Sequence, residues 1–369
     1  MRPTWADIDL AAVAHNVEQL RELVSPATVC AVVKADGYGH GAVPVARAAV
    51  EAGASWLAVA LVEEGRQLRQ AGLTVPILVL SEPRPSEMAE VVDSDLRPTV
   101  YSGEGLASIA AAARAGGRVV PVHVKVDTGM RRVGAAPDDA LTLVKAVDER
   151  PSLALEGLWT HCAIADEPAH PFTEQQLDRF DAVIAEVRAA GFDPPSVHAG
   201  NSAVAIAHPR GRYDMVRCGI AVYGLPPAPG LEGRVDLRPA MSVCSEVSMV
   251  KRVPAGEGVS YGLRWSTPTE RVIATVPVGY ADGIRRSLSA HGGEVLIRGQ
   301  RRPMAGVITM DQLMVDCGDD DDVQAGDEVV LIGRQGDAEI TATEVATRLD
   351  TISYEVVCDI ESRIPRRYR

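Results

Sequence analysis

In the first 230 residues, short apolar runs alternate with helical periods, and this alternation restricts the fold more than any other feature of the chain. Eight runs rich in valine, leucine and isoleucine have strand character: TVCAVVK, WLAVA, PILVL, RPTVY, VPVHVKV, LEGLWTH, PSVHAG and DMVRCG. Between them lie helical segments such as GAVPVARAAVEAG, EEGRQLRQAG, GEGLASIAAAARAGG, DDALTLVKAVDER and TEQQLDRFDAVIAEVRAAG, with Gly53 and the pair Gly116–Gly117 placed as helix stops. About eight strand–helix units is the number a TIM barrel needs. A doubly wound open sheet is the competing arrangement, weakened because no G-x-G-x-x-G follows the first strand.

The pattern changes near residue 230. PPAPGLEGRVDLRP has loop composition, and beyond it come MSVCSEVSMVKRV, RVIATVPVG, EVLIRG, QLMVDC, DEVVLIG and SYEVVCDI, all read as strands, with one helix, TATEVATRLD. The expected organisation is an α/β TIM barrel over residues 1–232 and a smaller, mainly β domain over 233–369. Aromatic residues make up only 4%, so the core must be aliphatic. A net charge of -13 repels nucleic acid and anionic membrane, and no run approaches a membrane span. The six cysteines are scattered without a C-x-x-C pair, so neither a metal cluster nor a redox motif is expected. The N-terminus lacks an apolar leader-like stretch, and a cytoplasmic protein is the expectation.

In a barrel of this type the chemistry collects where strands end. The first strand ends in Lys34, the fifth carries Lys125 and leads into DTGMRRVG, and the sixth ends in His161. The seventh runs into His198, Asn201 and Ser202, and the eighth carries Arg217 and then Gly219 and Ile220. Each has a structural alternative: Lys34 paired with Asp36, Ser202 as a plain helix cap. The chain has 4 lysines against 33 arginines, so a lysine that remains is suited to tasks an arginine cannot do, because only an amine loses its proton to form a Schiff base. Ser202 as an N-cap and Gly219 as a point of close backbone approach suit a phosphate after strands seven and eight. Together with an amine at the first strand they suggest pyridoxal 5′-phosphate (PLP).

AVVKADGYGHG is very similar to the PLP-lysine segment of alanine racemases. The resemblance continues in order through KVDTGMRRVG, THCAIADE, VHAGNSA, MVRCGIAVYG, VSYG, PVGYADG, MDQLMVD and TISYE, from near residue 30 to near 360. It implies a racemase that interconverts L- and D-alanine, a barrel with a C-terminal β domain, PLP, and a homodimer with composite active sites. Lys34 resembles the Schiff-base lysine, and Tyr261 the second base. Tyr38, Ser202, Gly219, Ile220 and Tyr354 match the phosphate ligands, and Arg217 the partner of the pyridine nitrogen. His161 stands either near the ring oxygen or in the network beside Arg217, with His198 and Asn201 in support. Arg132 matches the arginine that binds the phenolic oxygen and the substrate carboxylate. Met310 and Asp311 match the segment reaching the partner subunit's site, and Tyr280 the tyrosine narrowing its entrance. Lys125 stands where some relatives carry a carbamylated lysine; pairing with Asp127 or a bound anion is the alternative. Thr309 departs from the cysteine that some relatives have before Met-Asp.

The resemblance gives Lys34 the proton of the D-enantiomer and Tyr261 that of the L-enantiomer. A tyrosine is a poor base near neutral pH, so a cation, His161 or an arginine, is expected beside Tyr261; the structural alternative is a ring packed on Pro254. A racemase for another small amino acid such as serine is the rival substrate reading. A barrel-type PLP decarboxylase lacks support, because its glycine-rich phosphate segment and C-terminal cysteine motif are not seen. A PLP-carrier protein would resemble the barrel alone. The implied role is D-alanine supply as a peptidoglycan precursor, with alanine catabolism the alternative.

Overall fold

The computed structural model describes residues 2–369 and divides into two compact units, one of Ala11–Gly37 and Ala42–Arg238, the other of the residues up to Leu10, Tyr38–Gly41 and Pro239–Arg369. After β1 (Thr4–Ile8), the first of these units holds β2 (Thr28–Val32), β3 (Trp56–Val59), β4 (Ile77–Val79), β5 (Arg97–Val100), β6 (Val120–Lys125), β7 (Leu153–Trp159), β8 (Ser196–His198) and β9 (Met215–Cys218). These eight strands form one parallel sheet in the order β8-β7-β6-β5-β4-β3-β2-β9. At the seam the Asp214 N–H donates to Val197 O at 3.0 Å and the Arg217 N–H to Gly200 O at 2.8 Å, so the sheet curls into a nearly closed barrel rather than staying open. Each strand is the run read from the sequence.

The helices form where their apolar spacing and caps dictate. In Gly103–Ala115, Ser102 accepts from the Gly105 N–H, and Leu106, Ile109, Ala110 and Ala113 are buried at the i, i+3, i+4, i+7 spacing. Burying each of the two large aliphatics contributes about 1.5–3 kcal/mol.

The second unit is built on a seven-stranded sheet. It contains β10 (Met241–Glu246), β15 (Glu294–Ile297), β16 (Gln300–Pro303), β18 (Glu328–Gln335), β19 (Ala338–Ile340) and β20 (Arg366–Tyr368) in addition to β1. A three-stranded sheet joins β11 (Met249–Val253), β14 (Arg271–Val276) and β17 (Leu313–Asp316), and a short ribbon joins β12 (Gly258–Val259) to β13 (Trp265–Ser266).

Two findings depart from the sequence reading. The first residues, assigned there to the barrel, form β1, which pairs antiparallel with β10 and parallel with β20. SYEVVCDI, read as a strand for its β-branched run, is the helix Ser353–Cys358. Ser353, Val356 and Val357 are its buried positions, an i, i+3, i+4 spacing that outweighs local β-propensity.

Candidate active site

The backbone just after Lys34 is unusual. Ala35, Asp36, Gly37 and Tyr38 all have φ between 49° and 62°, a left-handed turn costing roughly 1–2 kcal/mol for each non-glycine residue. Glu64 fastens it, accepting from the Ala35 N–H at 2.6 Å and from the Ala60 and Leu61 N–H groups. Asp36 accepts from the Ala42 N–H at 2.8 Å. Lys34, two residues past the end of β2, is therefore held on a rigid support at the barrel rim.

Arg217, on β9, is buried and surrounded by neutral acceptors. Its guanidinium donates to His198 Nδ1 at 2.7 Å, Thr160 O at 2.9 Å, Ala199 O at 3.0 Å and His161 Nδ1 at 3.2 Å. His161 thus takes the second of its two expected places, beside Arg217. Among the described residues no carboxylate lies within ion-pair distance of Arg217, and burial lowers its pKa to about 10. Burial, and then Arg217, hold both His161 and His198 well below the usual imidazole range, so both rings are neutral.

Trp159 is the plate on which this cluster rests. Arg217 lies 4.5 Å from its ring centre, Lys125 Nζ 4.1 Å, and His198 stacks on it at 5.4 Å. Lys125 and Trp159 are cross-strand partners, as are Trp159 and His198. Burial first, then Arg217 and Arg132, lower the Lys125 pKa to about 7. The Asp127 carboxylate is engaged elsewhere, accepting from the Gly129 and Arg131 N–H groups to shape the loop that carries Arg132. The Asp127 pairing expected as one alternative for Lys125 is not formed at ion-pair distance.

The phosphate candidates of this unit cluster at the β8–β9 seam. The N-cap of the helix Ser202–Ala207 is Asn201, which accepts from the Val204 N–H, and not Ser202. Ser202 stands one position further, where its hydroxyl turns to accept from the Gly219 N–H at 3.0 Å and the Ala221 N–H at 3.4 Å. Ile220 opens the turn Ile220–Tyr223, where a backbone N–H has no partner within the turn.

The remaining candidates belong to the β unit. Tyr38 and Tyr354 have ring centres 6.2 Å apart. Tyr261 follows Ser260, whose φ is 66°, and is 72% exposed rather than packed on Pro254. It shares a concavity with Lys251, Thr309 and Gln312. The Tyr280 and Ala281 N–H groups donate to Thr309 O and Met310 O, both at 3.0 Å, binding the Tyr280 turn to the Met310–Asp311 segment. The Thr309 hydroxyl donates to Gln312 O at 2.8 Å and closes that turn. Asp311 accepts from Arg363 at 2.7 Å.

Sequence reasoning missed Trp159, His123 and Glu156. Period-2 alternation inside a barrel strand carries the signal for the histidine, since His123 precedes Lys125 by two positions in VPVHVK.

The chain is similar to known proteins over its whole length. The model of the alanine racemase N-terminal domain matches residues 8–227, and that of the C-terminal domain matches residues 240–368. An alanine racemase of Symbiobacterium thermophilum is 51% identical, covering 100% of this chain and 97% of its own length. The crystal structure of the alanine racemase from D-cycloserine-producing Streptomyces lavendulae superposes with a TM-score of 0.95 at 42% identity, covering 100% of this chain and 97% of that one. A histidine racemase from Leuconostoc mesenteroides also superposes, with a TM-score of 0.92 at 26% identity, covering 100% and 98%.

Proposed function

We propose how this site works from one premise: the chain belongs to the alanine racemase family, whose two domain models together span nearly all of it. It interconverts L-alanine and D-alanine, and the serine alternative is not favoured by its relatives. The family is PLP-dependent.

The residues present fit that cofactor. Arg217, Arg132 and Lys34 all act electrostatically on Lys125, with Asp127 the opposing charge. Such a group calls for an anion, and a cofactor carrying both a phosphate and a phenolic oxygen, with a carboxylate substrate, answers it. This concentration of positive charge around a rim lysine is the observation that carries the reading.

PLP, when bound, supplies an electron sink for the charge left on the α-carbon once its proton is removed. Lys34 would hold the cofactor, and its amine would move the proton of the D-enantiomer. Ser202, Gly219 and Ile220 would hold the phosphate, and the resemblance gives Tyr38 and Tyr354 the same role. Arg132 orients the substrate by its carboxylate. Arg217 would face the ring nitrogen, where it could donate but not accept a proton, and that would restrain transamination and other side reactions. Tyr261 of a second copy serves the opposite face and moves the proton of the L-enantiomer; its exposure in the single chain suits a residue completed by a partner. Met310, Asp311 and Tyr280 of that copy close the substrate side.

Lys125 has a second reading as a carbamate. A neutral amine adds to carbon dioxide and releases one proton, leaving an anion. An amine with a pKa of about 7 beside Arg217 and Arg132 is prepared for that addition, and the anion would orient Arg132.

The test is direct. Purified protein is incubated separately with L-alanine, L-serine and L-lysine and assayed for D-product. D-alanine is the expected product, and a colourless protein that forms none overturns the scheme.

A further inference from the structure

Inside the barrel a line of hydrogen bonds runs from Arg217 away from the rim. Arg217 Nη1 lies 2.7 Å from His198 Nδ1, His198 Nε2 lies 2.9 Å from His123 Nδ1, and His123 Nε2 lies 3.2 Å from Glu156 Oε2. Glu156 in turn ion-pairs with Arg97 at 3.3 Å. Both histidines are fully buried.

Two features show that the line is built rather than incidental. The register of β6 against β7 shifts between Val122 and His123, so Glu156 is the extra residue of a bulge, a device that re-aims a side chain. The next residue, Gly157, is the cross-strand partner of His123, and a Cβ there would lie 2.1 Å from His123 Nδ1. Only glycine leaves that ring its place.

The ends of the line fix every proton within it. Arginine only donates and a carboxylate only accepts. His198 Nδ1 must therefore accept, which puts its hydrogen on Nε2, and His123 must likewise accept at Nδ1 and donate from Nε2. Burial keeps both rings neutral, as this pattern requires.

We propose that Glu156 and His123 are positioning residues for Arg217: they lock His198 as the Nε2–H tautomer, so that its Nδ1 faces Arg217 only as an acceptor and holds the guanidinium in register with the site. The inference rests on the proposed role of Arg217, but the lock itself is read independently of turnover.

The experiment is 15N NMR of histidine-labelled enzyme, wild type and variants, alongside alanine kinetics. Wild type shows both rings as Nε2–H. Glu156→Leu brings an Nδ1–H population at His198 and lowers kcat about tenfold with KM within about twofold, the pattern of a disturbed transition-state contact. Glu156→Gln keeps an acceptor and retains the tautomer and most of kcat. An Nδ1–H ring in the wild type overturns the proposal without recourse to any variant. So does an unchanged His198 in Glu156→Leu, or a Glu156→Gln enzyme as slow as Glu156→Leu. A wild-type enzyme with the lock but no alanine racemisation overturns the proposed function and leaves the lock standing.

Discussion

Lys125 holds its amine nitrogen 4.1 Å from the centre of the Trp159 ring, with no carboxylate among the described residues at ion-pair distance. The folded lysine takes up its proton only below about pH 7, against a normal value of 10.5. Between those values the unfolded chain binds the extra proton, so stability falls as pH drops through the window. The deficit is complete below pH 7 and absent above 10.5. In carbonate-free buffer, Lys125→Met is therefore expected to raise the unfolding free energy most at pH 7 and below, by a few kcal/mol at about 1.4 kcal/mol per pKa unit, and Tm with it. Scanning calorimetry across pH checks the sign. With labelled bicarbonate, a carbamate 13C signal that is lost in Lys125→Met is expected, and its absence in the wild type removes the carbamate.

A dimer with composite sites makes a counting prediction. Lys34→Ala and Tyr261→Phe chains are each expected to be inactive towards L-alanine alone. Unfolded and refolded together in equal amounts, they form heterodimers with one intact site, and about a quarter of wild-type activity returns. No recovery contradicts the shared site.

Arg217→Glu places a proton acceptor where the wild type has only donors. Transamination is expected to increase, with the pyruvate-to-D-alanine ratio rising about tenfold or more. An unchanged ratio in a folded, cofactor-loaded variant counts against the assigned role.

Gly279 lets the Tyr280 turn approach Met310. A Cβ there would meet Thr309 O at 2.3 Å and Met310 O at 2.4 Å. Gly279→Ala should cost about 1–3 kcal/mol, as overpacking does, and raise KM for alanine by separating Tyr280 from the Met310–Asp311 segment. Chemical denaturation and steady-state kinetics measure the two effects.

The barrel was legible because its signal is local. Runs such as VPVHVK and their intervening helices announce β-α units, and reading each strand to its end found Lys34, Lys125, His161 and Arg217. What escaped depends on distant partners. β1 is a strand because β10 and β20 flank it, and TWADI has no strong alternation of its own. Ser202 gave way to Asn201 as the cap because Gly219, 17 residues on, claims its hydroxyl. Trp159, His123 and Glu156 lie on two neighbouring strands with a bulge between them and act on residues of β8 and β9, which no window along the chain displays.

The central claim is that Lys34 and Tyr261 each serve one face of the α-carbon, and proton exchange tests it most directly. In D2O, the Tyr261→Phe enzyme should keep exchanging the α-proton of D-alanine, while exchange from L-alanine falls away. Equal loss from both enantiomers, or undiminished exchange from L-alanine, would contradict the two-base account.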